Sequence, residues 1–89
     1  MQFEWDTQKA RQNLKKHGVA FDEAVTVFYD SLSATFDDPD HSGNEQRFIT
    51  IGSSSQGGIL VVAHAETGES IRIISARPAT AHERKRHEG

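Results

Sequence analysis

Phe3 and Trp5 alternate with Gln2, Glu4 and Asp6, which predicts a short half-buried strand ending at Asp6, a residue type that caps helices. Good helix formers fill Thr7 to His17, with Ala10, Leu14 and His17 at helical spacing and Gly18 where a left-handed C-terminal residue belongs. Phe21, Ala24, Val25 and Phe28 then share one face of a second short helix over Asp22 to Tyr29, capped by Asp22 or its neighbour. Beyond it the helical spacing gives way to strand patterns, the last two strands apolar on both alternations. Leu32 to Phe36, Arg47 to Ser53, Ile59 to Glu66 and Ser70 to Arg77 read as strands, separated by an acidic loop at 37–45, a Ser/Gly turn at 53–58 and a tight turn at Thr67-Gly68. Thr80-Ala81-His82-Glu83 matches a capping box and starts a short basic helix running to about Glu88. The order predicts an α+β fold: a curved antiparallel sheet with two N-terminal helices on one face, covering it with Leu14, Phe21, Val25 and Phe28, and a short C-terminal helix.

Length and composition narrow the classes. With 89 residues the chain supports one core, so residues 1–89 are expected to form a single domain. At 35% hydrophobic residues with five Phe it is too apolar for a disordered segment, and without Cys it has neither disulfides nor thiolate chemistry. No leader pattern opens it, and its longest apolar run, Ile59 to Ala63, is far below the ~20 residues that span a bilayer; a cytoplasmic protein is expected, with no membrane contact. The net charge of -3 argues against a nucleic-acid partner only until its placement is considered. Residues 1–18 and 70–89 are basic on balance, whereas residues 19–46 hold seven acidic groups and no Lys or Arg. Basic ends brought together would give a local phosphate-binding patch, because the field at a cleft depends on nearby charge.

Hairpin arithmetic locates candidate chemistry. A two-residue loop at Thr67-Gly68 places His64 opposite Ile71, on one face with Val62, Glu66, Ile73, Ser75 and Arg77, with Arg72 on the other face. If Ser53 pairs with Gly58, Arg47 falls opposite His64, and a one-residue slip at either turn scatters the group. His64, Glu66, Arg47 and Arg77 together would suit RNA cleavage: His64 as base or acid, Glu66 orienting or deprotonating a partner, and Arg47, Arg72 and Arg77 holding the phosphate. The same residues also admit a plain reading, with His64 a satisfied sheet histidine and the arginines paired with neighbouring carboxylates. Arg84, Lys85, Arg86 and His87 are RNA-backbone candidates or simply a solvated terminal helix. His41 with Asp37, Asp38 and Asp40 has no known metal-ligand spacing and is read as solvated, so neither metal nor cofactor is expected. No nucleotide-binding loop or nucleophile elbow is present.

Five stretches, Phe3 to Asp6, Lys16 to Ala24, Arg47 to Gly52, Val61 to His64 and Ile71 to Arg77, resemble in the same order the signature segments of the BrnT toxins. The resemblance implies a RelE-like fold, an endoribonuclease activity that inhibits translation, and neutralisation by a BrnA-like antitoxin whose DNA-binding part brings the complex to operator DNA. It implies Arg47, His64, Arg72 and Arg77 as activity-bearing positions, completed by the helix through Arg84 to His87. Members of the family often carry Tyr where this chain has His87. Cleavage is expected to be metal-independent and to leave 2′,3′-cyclic phosphate. The alternative from another class is an inactive toxin fold that serves as an antitoxin-binding corepressor.

Overall fold

The computed structural model describes residues 1–39 and 45–88. Its elements are β1 (Gln2–Glu4), α1 (Thr7–His17), α2 (Phe21–Thr26) with a 3-10 turn over Val27–Tyr29, β2 (Ala34–Asp37), β3 (Arg47–Ser53), β4 (Ile59–Thr67), β5 (Ser70–Pro78) and α3 (Ala81–Glu88). The sheet order is β1-β5-β4-β3-β2. The fold is α+β, as the patterning predicts, with one departure: β1 runs parallel to β5, so the sheet is mixed. The chain leaves β1 at one edge and crosses the sheet through α1 and α2 before β2 forms the other edge, which makes room for a parallel neighbour beside β5.

Local chemistry explains the helix ends. The Asp6 carboxylate accepts from the N–H groups of Gln8 and Lys9, and Gly18 closes α1 with φ 72° while its N–H donates to the Leu14 carbonyl. Helix α2 begins one residue before the predicted Asp22 and has no side-chain cap. Thr80 and Glu83 form the capping box of α3: the Glu83 N–H donates to Thr80 Oγ1 at 3.1 Å and the Thr80 N–H to Glu83 Oε1 at 2.8 Å.

Helices α1 and α2 cover one face of the sheet. Val19, Phe21, Ala24 and Val27 pack on Leu60, Val62, Ile71, Ile73 and Ala76, with Phe3, Trp5, Ala10 and Phe28 at the margin. Leu14, expected in this interface, is 51% exposed; Asn13 is the buried residue of α1. Its amide nitrogen donates to the carbonyls of Val19 and Ala76 and its Oδ1 accepts from the Ala76 N–H at 3.0 Å. Among the described residues no strand pairs with the outer edge of β5 beyond Arg72, since β1 spans only residues 70–72 there, and the Asn13 amide bonds the Ala76 backbone instead. Gly52 marks the close approach of the 3-10 turn: a Cβ there would lie 2.8 Å from Ser33 Cβ and 3.1 Å from Val27 Cγ1.

Both hairpin registers differ from the expected ones. Ser53 pairs with Ile59, so Phe48, not Arg47, faces His64. The turn is fixed from outside: Ser54 Oγ donates to Glu23 Oε2 at 2.7 Å and the Ser55 N–H to Thr26 Oγ1, both on α2. At the other end the loop is Gly68-Glu69, with Thr67 opposite Ser70 and Gly68 at φ 62°. Further along this pair His64 faces Ile73 but Ala63 faces Ser75, and the extra residue, Ile74, forms a β-bulge.

Candidate active site

The two registers decide which candidates share a face. Across β3, β4 and β5 the row Arg47, Ala65, Arg72 lies on the side away from α1 and α2. Two residues further along, Phe36, Ile49, Ala63 and Ser75 form the next row, and Ala34, Ile51, Val61 and Arg77 the one after. Rows on one face are about 6.6 Å apart and strands about 4.8 Å. Arg72 and Arg77 are five positions apart and in a regular strand would point to opposite faces; the bulge at Ile74 re-aims Arg77 to the face of Arg72. The structure thus groups Arg47, Arg72 and Arg77 on one open face, each half-exposed.

Carboxylates occupy these guanidinium groups. Glu45 pairs with both Arg47, at 3.3 Å, and Arg72. Glu83 meets Arg77 through two hydrogen bonds of 2.8 and 2.9 Å, holding α3 over the face. That pairing, with the Thr80 N–H, lowers the Glu83 carboxyl to about 2 and raises Arg77 further above its ordinary range. From α3, Arg86 and His87 line a groove of about 580 Å³ whose floor includes Ile49, Ile51 and Val61. Arg84 faces a second hollow beside His17, Gly18 and Pro78, and Lys85 is exposed.

His64 does not join the arginines. It lies with Val62 on the helix-covered face, 1% exposed, with Phe28 edge-on at 4.9 Å and Phe48 stacked at 5.8 Å, and the slip at the Ser/Gly turn carries Arg47 to the opposite face. Its Nε2 shares a 2.8 Å hydrogen bond with Thr50 Oγ1, which in turn bonds Thr35 Oγ1, while Nδ1 is buried with no partner among the described residues. Burial holds the imidazole neutral, with its pKa lowered from 6.5 to about 4. The expected single cluster of Arg47, His64, Glu66 and Arg77 is therefore corrected: one imidazole belongs to the core, and Glu66, at the exposed end of β4, alternates with Ala65 and falls on the face of His64. Glu45, Glu83 and Phe36 were not singled out from sequence, although Glu45 stands two residues before Arg47 and Glu83 belongs to the legible capping box. His41 and Asp40 lie outside the described residues, and among the described ones no three metal-ligating side chains converge. No helix among the described residues is long and apolar enough to cross a membrane.

An α+β domain with helices sealing one sheet face and paired arginines on the other presents a surface suited to a phosphodiester chain. The comparisons give this class a family. The family model described as "Ribonuclease toxin, BrnT, of type II toxin-antitoxin system" matches residues 5–83, and the chain belongs to that family. The crystal structure of the Brucella abortus ribonuclease toxin BrnT superposes with a TM-score of 0.66 at 25% identity, covering 90% of this chain and 97% of that one. Among curated proteins none matches the chain.

Proposed function

We propose that the chain is an endoribonuclease toxin that cuts RNA on the open sheet face and thereby inhibits translation in the cytoplasm. The observation carrying this reading is the grouping, in a BrnT-family chain, of Arg47, Arg72 and Arg77 on one face, each held by a carboxylate that RNA phosphate can replace. Forked guanidinium donors suit phosphate oxygens and stabilise the negative charge that gathers on the phosphorane. The 2′-oxygen attacks phosphorus as its proton passes to a base, the bond to the 5′-oxygen breaks, and an acid protonates the departing oxygen, leaving 2′,3′-cyclic phosphate. Glu45, in contact with two of the arginines, and His87, in the groove wall beside Glu83, are the groups of this face that serve the two transfers. Fixed guanidinium charge does the work a cation would otherwise do and disfavours a metal beside it, which supports metal-independent cleavage. Arg86 extends the cationic surface along the RNA, with His87 beside it as a further hydrogen-bonding group. A BrnA-like antitoxin neutralises the toxin by covering this face and carries it to operator DNA. The test is cleavage of RNA by purified protein in EDTA. Cyclic phosphate ends that disappear with Arg72→Ala support the reading; a folded wild type without cleavage would instead indicate an antitoxin-binding corepressor.

A further inference from the structure

The groove beside the arginines has a composition that phosphate binding does not require. Its floor is apolar, built from Ile49, Ile51 and Val61, and its wall is Phe36, which leaves 56% of its surface exposed on the edge strand β2. Its other wall is polar, from Glu83, Arg86 and His87 of α3, with the Glu83 carboxylate taken up by Arg77 and the Arg86 guanidinium left facing the groove. An exposed aromatic ring alone is ordinary; a ring that walls an apolar groove with Arg86 on its rim and Arg77 beside it fits a ligand with a flat apolar face attached to negative charge. Phe36 stands in the row next to Arg47, about 6.6 Å further along the sheet, and Arg77 lies one row beyond. A strand whose phosphates rest on these arginines therefore passes its bases over Phe36.

We infer that this groove is a nucleobase subsite in which one unpaired base of single-stranded RNA stacks on Phe36 while Arg86 and His87 hold the adjoining phosphate. The inference rests on the reading of the open face as the RNA site and adds to it the element that selects unpaired nucleotides. Aromatic side chains flanked by cationic grooves bind single strands in this way, since every base has a π-face. An apolar helix of a protein partner is the competing occupant; the closeness of three arginines, whose charge continues that of Arg86, favours the nucleotide.

The test is binding of a 2′-O-methyl oligoribonucleotide, which cannot be cleaved, carrying 2-aminopurine at successive positions. In the wild type one position shows fluorescence quenching on binding, and replacing that base by an abasic nucleotide weakens binding about 10-fold. Phe36→Leu, which keeps the groove apolar, abolishes the quenching and binds base-bearing and abasic strands alike; Phe36→Trp retains the difference. Tyr29→Leu, exposed elsewhere, behaves as wild type. Quenching that survives Phe36→Leu, or an abasic strand that binds as well as the intact one in the wild type, overturns the subsite. A Phe36→Leu protein that binds RNA normally but fails to bind antitoxin also overturns it, assigning the groove to a protein helix. These readouts do not depend on cleavage, so a protein that stacks the base without cutting RNA refutes the nuclease reading and keeps the subsite.

Discussion

The two faces of this sheet put the same kinds of side chain to opposite use. On the covered face His64 is surrounded by Phe28, Phe48 and Thr50, and its burial keeps it uncharged. On the open face Arg47, Arg72 and Arg77 keep their charge, are half-exposed, and each holds a carboxylate that another anion can displace. A polar group buried with a specific partner specifies packing, whereas one left accessible with a replaceable partner is available for binding. The backbone that separates the two sets is modest: a one-residue slip at the Ser/Gly turn and one bulge at Ile74.

Variants that break one face and spare the other sharpen this division. Phe21→Ala, on the covered face, should destabilise the fold by about 3–5 kcal/mol, because a fully buried ring leaves a cavity. Denaturant unfolding measures it; a loss below about 1 kcal/mol would mean that the helices do not seal that face. His64 predicts a pH dependence of stability. Its folded pKa of about 4 lies below the ordinary 6.5, so the unfolded chain binds the extra proton first as pH falls. Stability from this group is complete above about 6.5 and is lost down to about 4, in total roughly 3 kcal/mol. His64→Leu should flatten that part of the pH profile and leave RNA cleavage at neutral pH intact in the folded protein. An unchanged profile would contradict the burial of His64.

On the open face, Arg72→Ala, Arg47→Ala or Arg77→Ala should each lower cleavage by about 10²-fold, in the range for removing a preorganised electrostatic donor. Unfolding free energy should shift by no more than about 0.5 kcal/mol, since exposed ion pairs contribute little. The smallest effect is expected from Glu83→Gln, which weakens the tether of α3 to Arg77. Amide exchange within α3 should quicken while β4 and β5 are unaffected, and wild-type protein should show the same loosening as pH falls from 4.5 toward 2, where the depressed Glu83 carboxyl is protonated.

The legibility of these features in sequence follows the range of the interactions that create them. The Asp6 cap, Gly18 and the Thr80–Glu83 box act within a few residues, and each is evident from its motif. The long strands β4 and β5 announce themselves by apolar runs. Register does not, because it is set at a distance: Ser54 is held by Glu23, and the Ala76 backbone by Asn13, 63 residues earlier in the chain. Turn chemistry cannot reveal those contacts, and each odd step they introduce changes the face of every residue beyond it. The arginines were thus recognisable as a set by type, while the partner assigned to them from sequence, His64, sits behind the sheet, and Glu45 took its place beside Arg47 and Arg72.

The division of the sheet into a sealed face and an RNA face can be read in one titration. Isotope-labelled protein with an uncleavable 2′-O-methyl oligoribonucleotide should show its largest chemical-shift changes in the Nε signals of Arg47, Arg72 and Arg77 and in the amides of β2, β3 and α3, with the ring signals of His64 and the amides of α1 unmoved. Changes centred on His64 and the α1–α2 surface, with the three arginine signals unaltered, would contradict it.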